Sequence, residues 1–262
     1  MGIATVFSEF KRIKRSYADD SRFLIYQMGK VGSTSIESVL PNSINIHTLY
    51  GNTPCHPFHS ARTGTIRGWA RHQLPFRWKR AAIRRRKKIK IVCLVRDPVA
   101  RNRSMFFQDL YHWLSYYVTK FRPNVKTEGS QFLSDAYQHV FDHMYFDLWF
   151  DKEIRKFCGI DVFEKPFVPG EFSIFEKGKF QVLLGRLEDL DNNWQNLEVF
   201  CGAELLRRDA NRGELKWYQK IYSEFKVQVD ESGVDDFMYD TRTASYFGYQ
   251  RTINREQAKG NH

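Results

Sequence analysis

The chain has 262 residues, 42% hydrophobic and 27% charged, with a formal net charge of +11. That length and balance are ordinary for a soluble globular protein built on one large domain, and no segment is long and apolar enough to span a bilayer. The charge points to anionic ligands or partners (phosphate, sulfate, acidic glycan, nucleic acid or lipid headgroups) without choosing among them.

Residues 1–20 read as a basic N-terminal arm ahead of a single domain over 21–262. Within the arm, Phe7, Phe10, Ile13 and Tyr17 share one helix face, ringed by Lys11, Arg12, Lys14 and Arg15. Such a helix either packs on the domain or lies on a membrane surface. "RFLIYQ" then reads as a short buried strand, and "GSTSIESVL" as a helix ended by Pro41. "SINIHTL" alternates as a second strand, and residues 51–64 form a loop. A basic helix is expected from Trp69 to Lys88, followed by "IKIVCLV", the clearest buried strand of the chain. Pro98 opens a helix running through "RNRSMFFQDLYHWL", and a second helical stretch covers about 131–157. "KFQVLLGR" is a further strand, "EDLDNNWQNLEVFCG" a helix closed by Gly202, and "GELKWYQKIYSEF" another helix. Strands alternating with helices give an α/β fold with a central parallel sheet flanked by helices.

Cys55, Cys93, Cys158 and Cys201 are widely spaced, with no pair at metal-ligand spacing, a pattern that suits a reducing compartment. The first twenty residues hold no signal-peptide core, and Val6 stands where a myristoylation site needs Ser or Thr. The expected location is the cytoplasm, with peripheral contact at the inner face of an anionic membrane.

The chemistry concentrates in "YQMGKVGSTSI", Tyr26 to Ile36. A strand, a glycine turn and a helix put backbone N–H groups around an anion. Here Gly29 and Gly32 allow close approach, Lys30 supplies a mobile charge, and Ser33, Thr34 and Ser35 offer hydroxyls. A nucleotide triphosphatase loop would read G-x-x-x-x-G-K-[ST], but Lys30 precedes Gly32. Such an enzyme also wants an acid closing a buried strand, whereas "IVCLV" closes on Arg96. The site is therefore organised by lysine and arginine, and no metal ligand set is expected. Ser104 lies about two helical turns beyond the strand and reaches the same anion if Pro98–Arg103 curls back.

"MGKVGSTSI" resembles the 5′-phosphosulfate loop of sulfotransferases that use 3′-phosphoadenosine 5′-phosphosulfate, and "VRDPVARNRSMFF" resembles their 3′-phosphate motif. "LLGRLEDLDNNWQNLEVFCG" is similar to the strand and helix that follow. "LKWYQKIYSEF" and "YDTRTASYFGY" look like the C-terminal part of a bacterial group associated with capsular polysaccharide synthesis. The resemblance covers roughly residues 22–250 and implies a P-loop-like sulfotransferase fold and sulfuryl transfer to a carbohydrate hydroxyl. It implies that Gly29, Lys30, Val31, Gly32, Ser33, Thr34 and Ser35 hold the 5′ end of the donor, Lys30 stabilising charge on the bridging oxygen. Arg96 and Ser104 hold the 3′-phosphate.

A general base is then required. His47, near the end of the second predicted strand, is the first choice, since carbohydrate sulfotransferases often take a histidine or glutamate from that neighbourhood. His56, His59 and Glu37 are second choices. "RWKRAAIRRRKKIK", Arg77 to Lys90, is either a solvated helical face or a dock for an acidic polymer or membrane; no nucleic-acid fold signature accompanies it, so nucleic acid is not an expected partner. Trp113, Tyr116 and Tyr117 either line an acceptor cleft for a carbohydrate, itself neutral or anionic, or belong to the core. The rival readings are a nucleotide kinase or triphosphatase, and a non-catalytic basic protein that binds glycan or membrane.

Overall fold

A computed structural model describes residues 3–40, 42–51, 66–121, 129–206 and 218–251. Its sheet comprises β1 (Phe23–Tyr26), β2 (Ser43–Ile46), β3 (Ile89–Val95), β4 (Ser173–Lys177) and β5 (Phe180–Arg186) in the order β2-β1-β3-β5-β4. β1 pairs in parallel with β2 and β3, and β3 in parallel with β5, with Ile89 opposite Phe180 and Val95 opposite Arg186. β4 runs antiparallel to β5. The sequence reading found the four parallel strands and missed β4. The two-residue connection Gly178–Lys179 joins it to β5, with Gly178 at φ +57°, where glycine carries no steric cost. As an edge strand it exposes Glu176 and Lys177, charges that discourage further pairing.

Alternation along the central strands builds a core on each face. Leu24, Tyr26, Ile91, Cys93 and Val95 pack with Trp149, Phe150, Ile154, Phe157 and Phe247. Ile25, Val92, Leu94 and Leu183 pack on the other side with Ile36, Trp194, Leu197 and Phe200. The second face is covered by α2 (Ser33–Val39) and α9 (Trp194–Cys201), the latter ended by Gly202 at φ +68°. The first is covered by a helical run of three parts: α7 (Tyr145–Trp149), a π-helical segment Phe150–Arg155, and α8 (Lys156–Cys158). Its wide turn differs from the single helix expected over 131–157, as does the break after α6 (Gly129–Val140).

The helix expected from Pro98 onward divides at Asp109 into α4 (Pro98–Gln108) and α5 (Leu110–Phe121). No glycine or proline marks this break, where Asp109 leaves the helical region at φ −113° and ψ 27°. α4, α5, α6 and α10 (Gln219–Ser232) enclose a third cluster around Phe106, Phe107, Tyr137 and Phe225. Trp113, 2% exposed, and Tyr117, 7% exposed, belong to that cluster and so cannot stack on sugar rings. Tyr116 is half-buried on α5.

α1 (Ile3–Tyr17) packs on α3 (Ile66–Ile83): Ile13 is buried, and Phe10 meets Trp78 edge to face at 5.3 Å. Arg86 fixes the end of α1, donating from Nε to the Tyr17 carbonyl at 2.7 Å and from Nη1 to the Arg22 carbonyl at 2.6 Å. The basic stretch is thus not all solvated charge. Arg86 is buried, Arg80 donates to the Leu49 carbonyl, and Lys90 donates to the Phe200 carbonyl at 2.5 Å, while Arg77, Arg84, Arg85, Lys87 and Lys88 remain exposed. Among the described residues no helix is long and apolar enough to cross a membrane.

Candidate functional site

The candidate loop leaves the C-terminal end of β1, the sheet edge where ligands of α/β folds bind. Its anchor is Gln27, a residue the sequence reading passed over. Fully buried, Gln27 accepts from the Leu94 N–H at 2.8 Å, donates from Nε2 to the Val31 carbonyl at 3.4 Å, and accepts His47 Nδ1 on its own carbonyl at 3.1 Å. One side chain therefore ties β1, β3 and the turn together.

Within the turn, Lys30 stands at φ +71° and Gly32 at φ +81°. A Cβ on Gly32 would lie 2.5 Å from Leu187 Cδ1, so both its backbone angle and its surroundings demand glycine. Gly29 is different: its φ is ordinary and a Cβ there would meet Met105 Sδ at 3.5 Å, normal contact. A non-glycine residue in the left-handed region costs about 1–2 kcal/mol, a strain that accumulates at functional sites. Beyond the turn, Val31 is buried, Ser33 and Ser35 are half-buried, and Thr34 is exposed.

Two arginines grip successive carbonyls of the turn. Arg96, at the end of β3, points its Nη1 at the Lys30 carbonyl from 3.5 Å. Arg101, fully buried on α4, donates from Nε to the Gly29 carbonyl at 3.1 Å and from Nη1 to Asn102 Oδ1 at 2.7 Å, and lies over the Tyr145 ring. Arg101 was not among the sequence candidates; nothing in "RDPVARNRS" separates it from Arg103, which the structure buries against Asp235 and Asp230. Ser104 sits half-buried on α4, and Pro98–Arg103 forms regular helix, without the curl its expected role required. Asp97, beside Arg96, is already engaged: it accepts from the Ala100 N–H at 2.8 Å as helix cap and from the Tyr239 hydroxyl at 3.1 Å. Arg96 also reaches α10, where its charge opposes the rise that burial imposes on the Tyr222 phenol.

His47 follows β2. Because a carbonyl only accepts, the contact to Gln27 fixes the neutral imidazole with its proton on Nδ1 and leaves Nε2 as a lone pair. Desolvation first, and then the Arg101 and Lys30 charges, hold the imidazole below its usual value against the opposing pull of the Gln27 contact and Glu37. The turn, Arg101 and His47 therefore share one electrostatic neighbourhood. Glu37 is exposed on α2 and accepts from Asn45 Nδ2 at 3.3 Å. His56 and His59 lie outside the described residues.

The segment carrying His47 is held from below by Glu153 of the π-helical turn. This buried carboxylate accepts from the Tyr26 hydroxyl at 2.5 Å, the Thr48 hydroxyl at 2.7 Å and the Leu49 N–H at 2.7 Å, while Trp149 Nε1 donates to the His47 carbonyl at 3.1 Å. In sequence Glu153 is one acid in "FDKEIRKF" and carries no signal. Among the described residues no group of three or more His, Cys, Asp or Glu side chains is placed to hold a metal ion.

Residues 125–249 match the model of the NKWYS family, described as "Putative capsular polysaccharide synthesis protein". The match covers just under half of the chain. It includes Glu153, Glu188 and Tyr222 and stops short of the turn, His47 and Arg96. No curated protein and no solved structure matches the chain.

Proposed function

We propose that the chain is a sulfotransferase that moves the sulfuryl group of 3′-phosphoadenosine 5′-phosphosulfate to a hydroxyl of a saccharide acceptor, on a sulfotransferase-type variant of the P-loop-like fold. The observation that carries this reading is the approach of Arg96 to the Lys30 carbonyl, which brings a guanidinium from the end of β3 to the backbone of the turn that carries Lys30. A nucleotide with phosphate groups at both its 3′ and 5′ positions needs two such cationic points. No other hydrogen bond of the Arg96 guanidinium is found among the described residues, so its Nε and Nη2 suit a phosphate dianion. The saccharide acceptor accords with the description of the matched family.

In this reading Ser33, Thr34, Ser35 and the turn hold the 5′-phosphate end, and Arg96 holds the 3′-phosphate. His47 Nε2 takes the proton of the acceptor hydroxyl as its oxygen bonds to sulfur. Lys30 donates to the bridging oxygen as the sulfur–oxygen bond to the leaving phosphate breaks, and adenosine 3′,5′-bisphosphate departs. Preorganised charge supplies the stabilisation. The engagement of Asp97 as a helix cap weighs against a triphosphatase, which needs that acid for magnesium.

The test is calorimetry with adenosine 3′,5′-bisphosphate, with and without magnesium. The expected result is binding that ignores the metal and weakens at least tenfold in Arg96→Ala. Binding that requires magnesium, or that Arg96→Ala leaves intact, overturns the assignment.

A further inference from the structure

We propose that the cleft between the 3-10 turn Asp236–Asp240, α11 (Arg242–Tyr246) and the chain after it is a saccharide subsite selective for neutral rings over anionic ones. Calling its ligand the acceptor rests on the transfer reaction above; saccharide binding itself does not.

The cleft has a volume of about 490 Å³, within the range of small-ligand sites. Tyr239 and Tyr249 line it, and their hydroxyls are both committed, to Asp97 at 3.1 Å and to Glu188 at 2.9 Å. The half-buried Tyr239 ring is thus a fixed wall, the apolar element that sugar recognition requires, and Tyr249, buried in the core, backs it. The polar lining comes from Asp236, paired with Arg251 at 2.7 Å, and from exposed Asp240 and Ser245. Planar carboxylate and guanidinium groups are suited to bridging neighbouring sugar hydroxyls.

Charge decides the class of sugar. In a chain of net charge +11, this lining sets two carboxylates against one guanidinium, with Asp97 and Glu188 behind the tyrosines. Arg186, which lies over the Tyr249 ring, is already paired with Asp189 at 2.6 Å. A phosphate, sulfate or uronate is repelled here, while the Arg96 guanidinium beside the turn attracts it. The two sites share a wall, since the Tyr239 hydroxyl donates to the residue that follows Arg96. A neutral acceptor held here and an anionic donor held at the turn do not compete.

The experiment is a glycan array probed with the labelled full chain, carrying neutral, sulfated and uronate oligosaccharides. The expected result is binding to neutral oligosaccharides that falls at least tenfold in Ser245→Trp, which fills the cleft from an exposed position, and in Asp240→Ala. Melting temperature and affinity for adenosine 3′,5′-bisphosphate are expected to stay unchanged in both. Binding to anionic glycans alone, to no glycan, or with full signal in both variants overturns the proposal. Neutral-glycan binding in a chain that ignores adenosine 3′,5′-bisphosphate keeps the cleft and removes the transfer reaction; the reverse removes the cleft alone.

Discussion

Arg101 Nε donates to the carbonyl of Gly29 at 3.1 Å from a fully buried position. A cation therefore backs the turn from inside the protein, on the side away from the solvent that a ligand would displace. Its stacking on Tyr145 and its bond to Asn102 fix the guanidinium, so the turn is set before any ligand arrives. Arg101→Met keeps the volume and leaves the Gly29 carbonyl without this donor. The expected cost is about 1–3 kcal/mol of stability, read from urea midpoints, together with weaker binding of adenosine 3′,5′-bisphosphate. A variant as stable as the parent would show that the turn holds its shape without Arg101.

Lys30 allows strain and function to be separated. At φ +71° its backbone is strained, and Lys30→Gly relieves about 1 kcal/mol. The expected outcome is a higher melting temperature and a collapse of turnover in the same protein. Lys30→Ala keeps the strain, and is expected to lower kcat far more than it raises KM, as an interaction confined to the transition state does. Equal losses in both would assign Lys30 to ground-state binding.

The contrast between the two glycines shows what a sequence can reveal of such a turn. Both read alike in "MGKVG", yet only Gly32 sits at positive φ and against Leu187, a residue 155 positions later in the chain. The parallel strands were legible because burial on both faces leaves unbroken apolar runs, as in "IKIVCLV". β4 was not legible, because an edge strand alternates with charge and looks like loop. Lys30, Arg96 and His47 could be nominated from strand ends and glycine spacing. Gln27, Arg101 and Glu153 could not, because their roles arise from hydrogen bonds across 4 to 127 positions that leave no local pattern. The basic run misled for the same reason: Arg80 and Arg86 read as surface charge and serve as clasps on backbone carbonyls.

Two histidines set a common acid limit. His143 is buried, donates from Nε2 to the Tyr137 carbonyl at 3.0 Å, and is surrounded by the rings of Tyr137, Phe141 and Phe237. Burial pushes its pKa down, and desolvation does the same at His47. In the unfolded chain both take up a proton near the ordinary histidine value of about 6.5, while the folded chain takes it up only at lower pH. Below that value the unfolded state binds more protons, so stability is full above it and declines as pH falls. Urea midpoints are expected to drop between pH 7.5 and 5.5, and His143→Phe is expected to flatten the decline. A midpoint that rises on acidification would contradict both shifts. In kinetics, the acid limb of kcat/KM is expected below the ordinary histidine value, and to vanish in His47→Gln with most of the rate. A near-normal rate in that variant would move the base elsewhere.

Glu153 accepts from three donors: the hydroxyls of Tyr26 and Thr48 and the N–H of Leu49. A carboxylate can serve all three, but an amide has one oxygen and turns its NH2 toward a donor. Glu153→Gln is therefore expected to cost about 2–4 kcal/mol despite its near-identical shape, because at least one buried donor loses its acceptor. Tyr26→Phe removes one of the competing donors. Combined with Glu153→Gln it should cost less than the sum of the two single changes, with a coupling of about 0.5–3 kcal/mol in a double-mutant cycle. Since Thr48 and Leu49 directly follow His47, the same cycle run on kcat should show His47 losing its place when Glu153 changes, and regaining part of it when Tyr26 does. Additive free energies in the cycle would mean that the three donors find other partners, and that the π-helical turn has no part in holding the histidine.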